Sequence, residues 1–183
     1  MIELALRTAR LHLRPWSFRD VSDVVAFADD AEWGRHLPVP HPYCVVDAER
    51  FVATQMLLDK AHHLSWAIEF EGRAVGAINL RFHFEQKIGE MGFSIARPLW
   101  GRGMTTEAAR AVIDHAFRNC ADLTRIRASA ALLNVASQRV LEKAGLKREG
   151  LLRGNRFVRG QPVDDVWFGV LRSEWSGNVD SAP

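Results

Sequence analysis

Gly101 and Gly103 stand one residue apart between an apolar run and a helical pattern, in the stretch R-P-L-W-G-R-G-M-T-T-E-A. Glycine lets backbone N–H groups turn toward one point without obstruction by a Cβ. A helix N-terminus adds unpaired N–H donors and a partial positive charge. Such groups together hold phosphate oxygens. Here the donors would come from the amides of Gly101 to Thr106. An ordinary glycine turn before a helix accounts for the same residues. The stretch matches neither the G-x-G-x-x-G of dinucleotide folds nor the G-K-[ST] ending of the P-loop.

Other groups also bear on chemistry. Glu90 lies on an extended run two residues before Gly92, so the two share a face. Its carboxylate is the leading candidate for a general base, with Glu69 as runner-up; a solvated strand carboxylate is the plain alternative. Gly92 inside a strand marks a bulge, a close backbone approach, or relief of packing against an aromatic. Asn134 and Ser137 stand three apart at a helix start, where both residue types are favoured as caps. No nucleophile elbow is present. His62 and His63 are adjacent rather than four apart, so no metal is expected.

The elements that must position these residues follow from periodicity. A first strand around Leu11 and Leu13 ends at Pro15. Ser17 to Asp20 opens a helix carrying Val21, Val24, Val25 and Ala28. Leu37 to Tyr43 holds three prolines and reads as a loop. Trp33, His36, His41 and Tyr43 in or near it suit a substrate lid or plug the core. Asp47 caps a second helix. Strands Leu64–Phe70, Val75–Phe84 and Ile88–Ala96 follow, joined by turns at Glu71-Gly72 and Glu85 to Lys87, which makes an antiparallel meander. The helix 104–118 then leads to a strand, Arg125–Ala131, by a right-handed parallel crossover. A short helix, Val135–Ala144, ends at Gly145 as an αL cap. Strands Lys147–Arg153 and Val163–Arg172 flank a turn at Gly160. The class is α+β, with a mixed, mostly antiparallel sheet of about seven strands, helices on both faces and one parallel crossover. A single domain over residues 1–175 and a flexible tail, 176–183, complete the expected organisation.

Composition sets the outer bounds. The chain has 183 residues, 48% hydrophobic and 25% charged, an ordinary soluble composition. A formal net charge of +2 is too small to argue for nucleic acid. The cluster Lys147, Arg148, Arg153, Arg156 and Arg159 could meet RNA or an adenosine phosphate, or form a solvated strand face. No run approaches the roughly 20 apolar residues of a membrane span. Cys44 and Cys120 read as free thiols in a reducing cytoplasm.

The blocks E-M-G-F-S-I-A-R-P-L-W-G-R-G-M-T-T-E-A and N-V-A-S-Q-R-V-L-E-K-A-G-L-K-R-E-G resemble, in order and separation, those of the GNAT acyltransferase superfamily. The branch they are most similar to is that of the ribosomal-protein N-terminal acetyltransferases RimJ and RimL. The resemblance runs from T-A-R-L-H-L-R-P, near Thr8, to about Trp175. It implies the acyl-CoA N-acyltransferase fold with acetyl-CoA as donor. The pyrophosphate would sit on the loop Trp100, Gly101, Arg102, Gly103, Met104, Thr105 and Thr106. The strand before it would splay from its parallel neighbour, with Ser94 and Ile95 offering main-chain partners to pantetheine and a nearby N–H polarising the thioester carbonyl. Asn134 would lie near pantetheine and Ser137 near the sulfur, as proton donor to the leaving thiolate.

Three positions depart from the family pattern: Trp100 where Gln or Arg is usual, Thr105 where Gly or Ala is usual, and Arg156 where this branch carries an acid. The implied reaction is direct attack of a primary amine on acetyl-CoA in a ternary complex, with Glu90 as base. The acceptor is a protein N-terminus or a small molecule. The alternatives are a catalytically degenerate acyl-CoA-binding regulatory module and a ribosome- or RNA-associated protein. A cytoplasmic, metal-free enzyme is expected, and a homodimer is left open.

Overall fold

The computed structural model describes residues 5–177; most of the expected tail lies outside them. Two short strands, β1 (Leu6–Arg7) and β2 (His12–Arg14), open the chain, followed by helices α1 (Val21–Ala28) and α2 (Val45–Leu57). The meander is β3 (His63–Phe70), β4 (Arg73–His83) and β5 (Ile88–Ile95). Helix α3 (Met104–Asn119), strand β6 (Arg125–Ala131) and helix α4 (Val135–Ala144) form the crossover and its sequel, and the hairpin β7 (Lys147–Val158) and β8 (Gln161–Leu171) closes the chain. One mixed sheet results, in the order β1-β2-β3-β4-β5-β6-β8-β7. Among the described strands only β5 and β6 pair in parallel. The eighth strand absent from the sequence expectation is β1, whose two residues are too few to display an alternation.

Each face of the sheet carries its own core. Ala108, Ala109, Val112, Ile113 and Ala116 recur at helical spacing and are fully buried, so α3 lies flat on the sheet. Leu64, Trp66, Ile78, Leu80, Ile126 and Phe168 meet them, with Leu141 and Ala144 of α4 beside them. The second core joins Val24, Phe27 and Ala28 of α1 to Ala48 and Val52 of α2 and to Ala67 and Ala74 of the sheet. No residue of β6, β7 or β8 belongs to that second core. The face carrying α1 and α2 is therefore helix-covered over β3 and β4 and not over β6 and β8.

Local caps agree with the sequence in one case and correct it in another. Ser17 and Asp20 form a reciprocal capping box. Asp47 is not the N-cap of α2. Cys44 holds that position, and Asp47 stands three residues on, its carboxylate accepting from the Cys44 backbone N–H at 3.0 Å. An acid at the third helical position stabilises the same orphan donors from inside the helix.

A buried ion cluster ties β2 to β3 and to the turn that leads into α1. Arg14 donates to the two carboxylate oxygens of Asp20 at 2.9 and 2.7 Å and also bonds Glu69 on β3. Asp20 is 1% exposed, so its charge depends on this partner. Replacing Arg14 by Ala is expected to lower unfolding free energy by about 3–5 kcal/mol, the cost of stranding a buried charge. Urea unfolding followed by circular dichroism measures it.

Candidate active site

The parallel ladder between β5 and β6 is short. Ile88, Gly89 and Glu90 pair with Arg125, Ile126 and Arg127, and there the pairing stops. Beyond it, β5 stays bound to β4 through Gly76↔Ile95, and β6 stays bound to β8 through Ala131↔Asp165. Two strands held on their outer edges thus diverge on their inner ones. Ala96 donates its N–H to the Val75 carbonyl at 2.7 Å, so the even-numbered residues of β5 face β4. By alternation Met91, Phe93 and Ile95 turn their N–H and C=O toward the gap. Leu132 donates to the Asp164 carbonyl at 2.8 Å, which by the same rule turns Ser129 and Ala131 toward the gap from the other side.

This alternation corrects one expectation. The backbone of Ser94 faces its β4 partner, Ala77, and is spent in the antiparallel ladder. Ile95 does face the gap, with its carbonyl accepting from the Trp100 indole at 2.9 Å. Phe93, not Ser94, is its companion. The register through Gly92 is regular, so Gly92 is no bulge. What lies over it is an amide: a Cβ there would sit 3.3 Å from Asn79 Nδ2.

The glycine turn and two helix starts close the wide end of the gap. Gly101 and Gly103 both adopt left-handed φ, 74° and 76°, a region that side chains resist. Gly103 is the N-cap of α3 and supplies no side-chain cap. The first intrahelical bond runs from Glu107 N–H to the Gly103 carbonyl, 3.0 Å, so the amides of Met104, Thr105 and Thr106 precede the helical ladder. Glu107 ties this turn to the chain start: it accepts from the Thr8 hydroxyl at 2.5 Å and the Arg10 guanidinium at 2.7 Å. Burial pushes the Glu107 carboxyl up, and these hydrogen bonds outweigh it, leaving its pKa below the ordinary value. Arg102 is exposed, with its guanidinium over the Phe70 ring at 5.7 Å.

At the end of β6 the chain enters α4. Asn134 caps it, its side chain accepting from the Ser137 N–H at 3.1 Å. The Gln138 amide donates to the carbonyls of Ala131 and Leu132 at 3.2 and 2.9 Å, which ties α4 to the end of β6. Ser137 is half-buried.

The helix-free part of the sheet face is polar. Met91 and Ile95 belong to the α3 core, so Glu90, Gly92 and Ser94 look the other way. Glu90 pairs with Arg127 at 2.8 Å and lies 3.7 Å from the His83 ring. These contacts, and the 3.0 Å bond from Arg127 Nε, all use its Oε2. Arg127 stacks over the Trp167 ring at 4.9 Å. His63 sits on the same face; burial lowers its pKa, partly offset by a hydrogen bond with Asn79. Trp33 Nε1, His63 Nε2 and Trp167 Nε1 are buried without a hydrogen-bond partner among the described residues. Buried polar nitrogens left unpaired are uncommon and mark sites that a ligand or water serves.

The segment around Trp33 and His36 crosses this face. Trp33 packs on Phe27 with ring centroids 5.4 Å apart, and the His36 carbonyl accepts from Arg156 at 3.0 Å. Burial, then Arg35 and Arg156, lowers the His36 pKa. Tyr43 is instead a core plug, 7% exposed, with burial pushing its phenol up to about 12.

Residues 10–147 match the model of the acetyltransferase (GNAT) domain. The chain belongs to the GNAT acetyltransferase family. An uncharacterized N-acetyltransferase of Bacillus licheniformis, p20, is 27% identical over 179 residues, 94% of this chain and 98% of that protein. A GNAT-family acetyltransferase structure from Bacillus anthracis superposes with a TM-score of 0.82 at 24% identity, covering 92% of this chain and 99% of the other. RimL, a ribosomal L7/L12 alpha-N-protein acetyltransferase solved with coenzyme A, superposes with a TM-score of 0.79 at 16% identity, covering 93% and 97%. The resemblance drawn from the two sequence blocks therefore holds. This acetyltransferase is an enzyme that moves an acetyl group to an amine.

The fold of the acetyltransferase brings Trp100 to Thr106, Ile95, Asn134 and Ser137 to the wide end of one gap and sets Glu90 at its closed end. Glu69 is elsewhere, bonded by Arg14 at the far side of β3, and that bond lowers its pKa. Two members of the basic cluster are ion-paired: Lys147 with Glu174 at 2.6 Å and Arg156 with Asp165 at 3.0 Å. Sequence reasoning missed Arg127, Trp167 and Asp165. Their only signal was an alternation in β6 and β8 that leaves polar residues on one face. Among the described residues no group of three or more His, Cys, Asp and Glu could hold a metal ion, and no helix is long and apolar enough to cross a membrane.

Because Asn134, not Ser137, carries the α4 cap, the two substitutions should separate in thermal melts. Asn134→Ala is expected to cost about 1 kcal/mol. Ser137→Ala should change stability by less than about 0.5 kcal/mol.

Proposed function

We propose that acetyl-CoA lies in the gap between β5 and β6 and is the acyl donor to a primary amine. The observation that carries this reading is the three-rung ladder opening onto uncapped helix amides. An extended arm with amide groups can pair with the inward C=O of Met91, the N–H and C=O of Phe93 and the N–H of Ile95. Its pyrophosphate then meets the amides of Gly101 to Thr106, where the α3 dipole favours negative charge. Solved relatives such as RimL hold coenzyme A, which supports the same occupant here.

Chemistry follows from this placement. A neutral amine enters from the polar face and attacks the thioester carbon. A C–N bond forms, and charge moves to the carbonyl oxygen, where an inward backbone N–H stabilises it. The C–S bond then breaks and the electron pair leaves on sulfur, which takes a proton from the Ser137 hydroxyl as solvent returns one to the serine oxygen. The amine proton passes to Glu90, whose Oε1 takes part in none of its ion pairs. Trp33, His63 and Trp167 offer ring nitrogens to the acceptor. The RimL name supports a protein N-terminus as that acceptor.

Gly103→Val places a β-branched side chain at a left-handed φ and in the path of the pyrophosphate. Calorimetry should show coenzyme A affinity reduced by at least about tenfold, the scale of losing one or two phosphate hydrogen bonds. Unchanged affinity would move the phosphate site elsewhere. Ser137→Ala should lower the turnover number about a hundredfold, the low end for a positioned proton donor, with coenzyme A affinity intact. A variant that turns over normally would leave Ser137 without a catalytic role.

A further inference from the structure

The segment from Asp30 to His36 spans the wide end of the gap and is fastened on both sides of it. On the β5 side, Arg97 donates to Asp30 Oδ2 at 2.6 Å. Asp30 Oδ1 meanwhile accepts from the N–H groups of Glu32 and Trp33, so this anchor also shapes the turn. On the β8 side the anchor is Arg156. Its Nε lies 3.0 Å from both oxygens of Asp165, and its NH1 donates to the His36 carbonyl at 3.0 Å. Asp165 stands opposite Ala131, the last residue of β6. The two anchors thus flank the gap, one just past the end of β5 and one on the β7–β8 hairpin that borders β6, and the strap bridges them.

The β7–β8 hairpin is built to deliver Arg156 there. Pairing jumps from Leu152↔Asp165 to Arg156↔Val163. The extra β7 residues loop out through Gly154 at φ 59°, with the Gly154 N–H on Asp164 at 2.8 Å and the Asn155 amide on Asp165 at 2.9 Å. A bulge of this kind re-aims the side chain that follows it. Asp165 is fully buried, and a buried carboxylate needs a charged partner. Arginine's planar fork can serve a carboxylate with one edge and a carbonyl with another nitrogen. A lysine ammonium is a point charge on a flexible stem and does not hold both in fixed geometry.

We infer that Arg156, held by Asp165, is a positioning residue: it clamps the Asp30–His36 strap over the acyl gap and so sets how the acceptor amine is presented to the thioester. The acid expected at position 156 is replaced by the cation of this clamp, and the acid of the pair is supplied from β8. The inference rests on the reading of the gap as the acyl site.

The test uses the full chain. Arg156→Lys keeps Asp165 neutralised and loosens the bond to His36. Hydrogen exchange at the strap amides, Trp33 to Leu37, should accelerate. The KM for a peptide acceptor should rise about tenfold, the scale of one lost hydrogen bond in acceptor binding. The turnover number at saturating acceptor and the coenzyme A affinity should stay within about twofold of the parent. Arg156→Gln combined with Asp165→Asn removes both charges, strands neither, and should give the same pattern if the lysine variant does not fold. Arg97→Gln frees the other end and should raise acceptor KM in the same direction. Unaltered strap exchange in the folded variants, or unaltered acceptor KM, overturns the clamp, as does a KM change matched by an equal loss of coenzyme A affinity. A parent enzyme that releases no thiol with any amine defeats the acyl-site reading instead, and strap exchange still decides whether Arg156 is the clamp.

Discussion

The backbone hydrogen-bond requirement of two parallel strands governs this molecule. A strand edge inside a sheet is normally paired along its length, because an unpaired buried N–H or C=O is costly. Strands β5 and β6 satisfy that rule for three rungs and then abandon it. Each is bound on its outer edge, to β4 and to β8, so neither can drift back to the other. The edges they leave have the spacing and polarity of a missing strand. Under the proposed function an extended ligand with amide groups supplies one, because the mixed sheet stops its own pairing early.

What surrounds the gap follows from its position. Parallel strands need a crossover of a dozen or more residues, and α3 supplies it, which puts the helix start beside the end of β5. In the turn into that helix glycine occupies the left-handed positions, and no side chain acts as cap. The far end of α3 is served differently. Arg172 donates to the carbonyls of Phe117, Cys120 and Leu123, placing a cation where the helix dipole is negative and its carbonyls lack partners. One helix thus has an uncapped start and a heavily capped end.

Arginines join segments remote in sequence. Arg10 reaches Glu107, Arg14 reaches Glu69, Arg97 reaches Asp30 and Arg156 reaches both Asp165 and the His36 carbonyl. Arg14 joins two strands, while Arg10, Arg97 and the Arg156 bond to the His36 carbonyl tie the sheet or its flanking turns to a helix or loop packed on it. Guanidinium forks suit this because one group bonds two partners in fixed directions. The polar half of the sheet face, around Glu90, Arg127 and Trp167, has neither α1 nor α2 above it, and among the described residues the strap from Asp30 to His36 covers it.

Local order was legible in the chain itself. Strand β6 and helix α4 begin and end at the residues that periodicity and capping predict, because alternation, helical spacing and a left-handed glycine are properties of a few neighbouring residues. The glycine turn and the pair Asn134 and Ser137 could be located for the same reason. Which of that pair is the cap could not, since both residue types fit and only the direction of one hydrogen bond decides. Tertiary structure alone determined how many rungs β5 and β6 share, and hence that Phe93 faces the gap while Ser94 does not. It alone paired Glu90 with Arg127, and Arg156 with Asp165 and with a carbonyl 120 positions away. Such contacts depend on register and on the meeting of distant segments, and a pattern of single-residue preferences along the chain contains neither.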